Sequence, residues 1–325
     1  MKICFASVAD HSHKFAAGVL AQQAEDDFLG AILATTPVSA GQVRSGSRLR
    51  TFALDGLERF EALDEARMDA GTSWADAFEQ LTTATNVVAP QLSLAARDCD
   101  IFVADWVLPC AKGVAEDLGI PLVQFTTHPD APCGNSFLRL FPPALDERAI
   151  GFPETLPDRR ELPLSLKRFT DRDCLLFHFP GDCTPGKPEV FSDLYRAARM
   201  AGLPAVLVGD IPMLRPDATL YVAKTVNISA LLQRVRVVVG VATPHLVAWS
   251  MSAGVPCVLL CETAEEISLA GRVEALGAGI AALESTPDTL AAFIARAAGL
   301  PKRVLKQQNT RALDAMVARA TGSDV

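Results

Sequence analysis

Short apolar runs recur along the chain, each followed by a stretch in which apolar residues return every third or fourth position. Residues 2–8, 28–34 and 50–54 read as strands, and 11–24 as a helix with Phe15, Val19 and Leu20 on one side. A long helical region covers 57–96, with a break near 71–73. Next come a strand at 101–105, a helix at 110–118 ended by Gly119, and a strand at 120–125.

From 129 to 173 the rhythm dissolves into Pro-rich, charged sequence, with a short helix expected around 135–141. It then restarts: strands at 174–179, 205–208, 220–223, 235–239 and 257–261, helices at 188–201, 228–233, 246–253, 265–276 and 286–298, and a last helix over 301–319. Strands that alternate with helices demand parallel sheets and right-handed crossovers. The expected fold class is α/β: two doubly wound, Rossmann-like parallel-sheet domains facing a cleft. The expected domains are 1–145 and 174–325, the last helix included in the second, with 146–173 as linker. A length of 325 residues suits two domains, and 50% hydrophobic residues suffice for two cores.

Charge and cysteine usage narrow the function. A net charge of −8 argues against a nucleic-acid partner. Eight cysteines stand singly, with no CxxC pair, which points to reduced thiols and no metal site. The first apolar stretch is too short for a signal peptide, so the expected location is cytoplasmic. Residues 237–261 hold no charged side chain, long enough to span a bilayer, but Thr243-Pro244-His245 and Gly254-Val255-Pro256 divide them. The expected reading is strand, helix and strand, with no membrane span.

In open parallel sheets ligands bind beyond the carboxyl ends of the strands. All five histidines fall there: His11 and His13 after the first strand, His128, His178 and His245 after later ones. Asp105 closes an apolar strand at the same edge as His13, and a His–Asp pair supplies a general base. In the second half, Thr243 is the expected N-cap and Pro244 the first residue of a helix whose free amides suit a diphosphate. Gly181 and Thr184, in the loop after the strand 174–179, are candidates for the same ligand.

These residues resemble the UDP-glycosyltransferase superfamily, in particular its macrolide and other natural-product members. The matching segments are Ala253-Gly-Val-Pro-Cys-Val-Leu-Leu with Leu269-Ala-Gly-Arg-Val-Glu-Ala-Leu-Gly-Ala-Gly-Ile, and Cys99-Asp-Ile-Phe-Val-Ala-Asp105 with Ala115-Glu-Asp-Leu-Gly-Ile-Pro121. The resemblance implies a GT-B fold and metal-independent, inverting transfer of a sugar from a nucleoside diphosphate donor to a small acceptor. It makes His13 the catalytic base and Asp105 its carboxylate partner. It places the donor turn on Val241–Leu246 and the sugar-hydroxyl contacts on Glu265 and Glu266; together with the reading of the residues, the expected donor contacts are Gly181, Thr184, Thr243, His245, Glu265 and Glu266, and the expected acceptor contacts His11, Trp106 and His128. No cofactor is implied beyond the nucleotide sugar as co-substrate. The expected partners are that donor, a small-molecule acceptor and a second copy of the chain as a homodimer.

The donor turn departs from the family. Val241-Ala-Thr-Pro-His-Leu246 replaces its Gly-rich sequence, Glu266 stands for its amide, and no aromatic lies near Thr225, Asn227 and Ile228. These departures motivate an alternative, a homologue that binds a partner or ligand without transferring sugar. A third reading is an epimerase or hydrolase acting on a nucleotide sugar.

Overall fold

The structure is a computed structural model, and it describes residues 1–8, 11–27, 29–37, 49–70, 77–128, 137–153, 161–179, 189–209, 216–302, 304 and 312–322. The chain divides into two compact units, one of Met1–Leu156 with Gln307–Val325 and one of Pro157–Lys306.

In the first unit, β1 (Lys2–Ser7), β2 (Gly30–Thr35), β3 (Arg50–Ala53), β4 (Ile101–Asp105), β5 (Leu122–Thr126) and β6 (Leu138–Arg139) form one sheet in the order β3-β2-β1-β4-β5-β6. Every pairing is parallel. Helix α1 (His11–Asp26) packs on β1 and β2. Helices α2 (Glu58–Ala70), α3 (Phe78–Thr85), α4 (Ala89–Ala96) and α5 (Ala111–Leu118) follow. Residues from α2 to α5 join Cys4, Ala6, Phe102 and Ala104 in one apolar cluster. All five residues of β4 are buried, as expected of a strand covered on both faces. Gly119 ends α5 at φ 64°, the left-handed cap its position predicts.

The second unit repeats the plan. Its strands are β7 (Leu175–His178), β8 (Ala205–Val208), β9 (Leu220–Ala223), β10 (Val237–Val241), β11 (Cys257–Leu260) and β12 (Gly279–Ala282), ordered β12-β11-β10-β7-β8-β9. Read from the other edge, the order of sequential strands matches that of the first sheet, and every pairing is again parallel. The helices are α6 (Leu164–Phe169), α7 (Glu189–Met200), α8 (Ile228–Leu232), α9 (Pro244–Ala253), α10 (Ala264–Ala275) and α11 (Pro287–Ala298). Both sheets therefore reverse their winding once, between β1 and β4 and between β7 and β10, and those are the points where such sheets hold ligands.

Three expectations need correction. The last helix, α12 (Ala312–Thr321), belongs to the first unit and not to the second. It packs on α1, β4 and β5 and buries Leu313 and Met316 there. In place of the helix expected around 135–141, the described residues 137–141 hold the short strand β6, in which Leu138 and Arg139 extend the sheet by pairing with Phe125 and Thr126. Strand β12 was not anticipated; Gly279-Ile-Ala-Ala is too short and small-sided to carry a periodic signal. Residues 237–261 form β10, α9 and β11, as expected, and no described helix is long and apolar enough to cross a membrane.

Candidate functional site

The first unit collects its candidate residues at the reversal between β1 and β4. Asp105, fully buried at the end of β4, accepts a hydrogen bond from the Ser7 hydroxyl at 2.6 Å and from the Val8 amide at 3.2 Å. The carboxylate thus locks the end of β1, the strand that leads into the His13 helix.

His13 is also fully buried. The Thr127 amide reaches its Nε2 at 3.4 Å, and the Thr127 hydroxyl lies 3.3 Å from its Nδ1. An amide can only donate, so Nε2 is the accepting atom in that contact. The ring of His128 lies 5.3 Å from that of His13, tilted by 40°, and Phe125 lies 6.1 Å away. The backbone of His128 is held by Thr126, whose Oγ1 accepts from the His128 amide at 3.1 Å and donates to its carbonyl at 3.3 Å. His13 and His128 thus come together around a Thr-Thr-His turn at the end of β5. The sequence reading passed over Ser7, Thr126 and Thr127. A run of hydroxyl residues at two strand ends was the available signal.

Trp106 behaves differently from a solvent-facing contact residue. It is 3% exposed, stacks on Phe78 at 6.0 Å and 10°, and belongs to the apolar cluster. Its indole Nε1 is buried without a hydrogen-bond partner among the described residues. The side chain of His11 lies outside the described residues.

The second unit has a matching point between β7 and β10. His178 ends β7, and His245 is the second residue of α9; both are buried. Their ring centroids are 6.1 Å apart, and Trp249, one turn along α9, meets His178 at 5.6 Å and His245 at 5.2 Å, edge to face. Close approach here depends on Gly240. A Cβ at that position would stand 2.6 Å from the His178 carbonyl oxygen and 2.7 Å from Leu246 Cδ2.

Thr243 caps α9 only through its backbone; its side chain makes no cap bond, and Pro244 removes one amide from the first turn. The start of α9 retains the dipole and amide character that favours an anion, with fewer donors than a Gly-rich turn offers. Gly181 and Thr184 lie outside the described residues.

Glu266 is occupied by its own helix. Thr263 and Glu266 form a capping box at the start of α10, with Glu266 Oε2 accepting from the Thr263 amide at 3.0 Å and the Glu262 amide at 2.6 Å. Glu265 is the neighbouring buried carboxylate. Thr263→Ala removes the reciprocal cap and is expected to cost about 1 kcal/mol, read as a lower urea midpoint with unchanged slope. Asn227 likewise caps α8 through its side chain, accepting from Ala230 at 2.9 Å. Among the described residues, no cluster of three or more His, Cys, Asp or Glu side chains could hold a metal ion.

The two units define a class of architecture: paired doubly wound domains of the type found in natural-product glycosyltransferases. The sequence matches no protein-family model and no curated protein. By structure, the chain is similar to glycosyltransferase VinC in complex with dTDP, with a TM-score of 0.74 and 17% identity over 99% of this chain and 100% of that one. It is similar to the spinosyn rhamnosyltransferase SpnG complexed with spinosyn aglycone, with a TM-score of 0.73 and 15% identity over 99% and 95%. It is also similar to the kitacinnamycin glycosyltransferase, with a TM-score of 0.70 and 17% identity over 99% and 95%. The fold expected from the sequence, including its GT-B type, is therefore the fold observed.

Proposed function

We propose that the protein is a cytoplasmic glycosyltransferase of natural-product type that transfers a sugar from a nucleoside diphosphate to a small acceptor, with inversion and without a metal ion. The observation that carries this reading is the convergence of buried His13 and His128 at the strand ends of the first sheet, with buried Asp105 ending β4 beside β1, in a chain that aligns end to end with glycosyltransferases. In the reaction, the acceptor hydroxyl gives its proton to Nε2 of His13 as its oxygen attacks the anomeric carbon. The bond from that carbon to the diphosphate oxygen breaks, and the diphosphate leaves with the electron pair. Asp105 acts by fixing the end of β1 through Ser7 and Val8 and, in this reading, by favouring the protonated imidazole. The contact from Thr127 to Nε2 is 3.4 Å, long for a hydrogen bond, and an acceptor hydroxyl would take its place at that nitrogen.

On the donor side we assign the diphosphate to the start of α9, with Thr243 and His245 as neighbours and Gly181 and Thr184 as further contacts. Glu265 is the acceptor for sugar hydroxyls, since Glu266 serves the helix cap. His11 and His128 remain the assigned acceptor-side residues, and Trp106 is withdrawn because it packs in the apolar core against Phe78. VinC is described in complex with dTDP, which supports a nucleoside diphosphate as the leaving group.

A second reading has its own support. Pro244 at the first turn and the capping role of Glu266 both weaken a donor site, as in a homologue that binds without transferring. Thermal unfolding with UDP, TDP and GDP separates the two. A donor site predicts stabilisation by about 2.7 kcal/mol at a ligand concentration one hundred times Kd for at least one nucleotide. Unchanged midpoints with all three would favour the binding-only homologue.

A further inference from the structure

Thr127 does more than fill space beside His13. It follows the last residue of β5 and is itself fully buried. Backbone bonds on both sides clamp the point where the chain leaves the sheet. The Trp106 amide donates to the Phe125 carbonyl at 3.0 Å, and the Leu140 amide donates to the Thr126 carbonyl at 2.7 Å. The Thr126 hydroxyl closes the turn by accepting from the His128 amide at 3.1 Å. With the residues before and after it tied down, Thr127 has a fixed place against the start of α1, as a group that orients another must have.

From that place it touches both nitrogens of one imidazole. Its amide lies 3.4 Å from Nε2 of His13 and its hydroxyl 3.3 Å from Nδ1. A backbone amide offers only a proton, so the nitrogen it meets must present a lone pair. A neutral imidazole carries a single ring proton, and the amide contact favours the form that has it on Nδ1. A hydroxyl accepts as readily as it donates, so Thr127 Oγ1 can take that N–H. The opposite tautomer would set the amide hydrogen against a ring N–H. Asp105 meanwhile secures the end of β1 through Ser7 and Val8, so strand and ring have separate anchors.

We propose that Thr127 is a positioning residue for His13, holding the ring as the tautomer protonated at Nδ1 and keeping the Nε2 lone pair for the acceptor's proton. The inference rests on the sugar-transfer reading for its kinetic consequence, but the tautomer is a property of the resting protein. When Nε2 takes the proton of an acceptor hydroxyl, the ring becomes positively charged. Its Nδ1–H bond to Oγ1 then strengthens, because charged donors make the stronger hydrogen bonds. The amide contact is lost at the same moment, since a protonated Nε2 has no lone pair to offer. The amide thus selects the resting form, and the hydroxyl holds the ring before and after proton transfer.

The test is a long-range proton–nitrogen correlation spectrum of the full-length, 15N-labelled protein at a pH where its histidines are neutral. His13 is assigned as the ring missing from the spectrum of His13→Gln. Its Nδ1 should appear at the shift of a protonated ring nitrogen and its Nε2 at that of an unprotonated one. Thr127→Val keeps the amide and the shape but removes the hydroxyl; the two shifts should move toward each other, and Thr127→Ser should restore their separation. With a donor and acceptor pair that supports turnover, Thr127→Val should lower kcat about tenfold, the weight of one ordinary hydrogen bond. The donor KM should change little, and Thr127→Ser should return most of kcat. A parent ring protonated at Nε2 would overturn the proposal, whether or not the valine variant folds. Shifts in Thr127→Val identical to the parent's, or a folded valine variant that turns over at the parent rate, would do the same. If the parent transfers no sugar, the transfer reading fails while the spectra still decide the tautomer.

Discussion

His13→Ala is expected to lower kcat by about 10²–10⁴-fold with any donor and acceptor pair that supports turnover, the range by which a positioned general base accelerates proton transfer. The donor KM should change little, because the imidazole acts on the acceptor's proton. The ring is fully buried and held by Thr127, so the variant also leaves a small polar-lined gap. Far-UV circular dichroism and the urea midpoint must therefore be measured alongside kcat. A variant that folds and turns over at the parent rate would remove His13 from the base role.

The second large effect is on stability. Gly240→Ala places a methyl group 2.6 Å from the His178 carbonyl oxygen, and backbone cannot yield as a flexible side chain does. Overpacking of this kind costs about 1–3 kcal/mol, and the backbone clash argues for the upper end. The expected reading is a thermal midpoint lowered by roughly 5–10 °C. The same shift should loosen the His178–His245–Trp249 cluster, visible as altered tryptophan fluorescence. An unchanged midpoint would mean that β7 and β10 can part at this point without cost.

Much of the fold was legible because buried parallel strands and their covering helices leave strong apolar periods. Runs such as 101–105 and 257–261 have few other readings once helices flank them. The histidines were legible for a related reason: each follows an apolar run, and strand ends of one sheet share an edge. His13 with His128, and His178 with His245, do converge. What one sequence could not carry was the choice of partners across long separations. Thr127 lies 114 positions from His13, and nothing in either local pattern announces the contact. Glu266 shows the converse limit. Its spacing from Thr263 fits a capping box as well as a ligand contact, and the cap is what the hydrogen bonds display. The destination of the last helix was equally hidden, since an apolar stripe states that a helix is covered but not by what.

Helix α12 has one more consequence, for anyone wishing to take the molecule apart. Because Gln307–Val325 return to the unit begun by Met1, that lobe is discontinuous in the gene. A stop codon placed after the first lobe's main segment would strip the cover from α1 and β5 and leave a greasy scar. Dissection should instead excise residues 157–306 and splice the flanks, so that the terminal helix travels with its host.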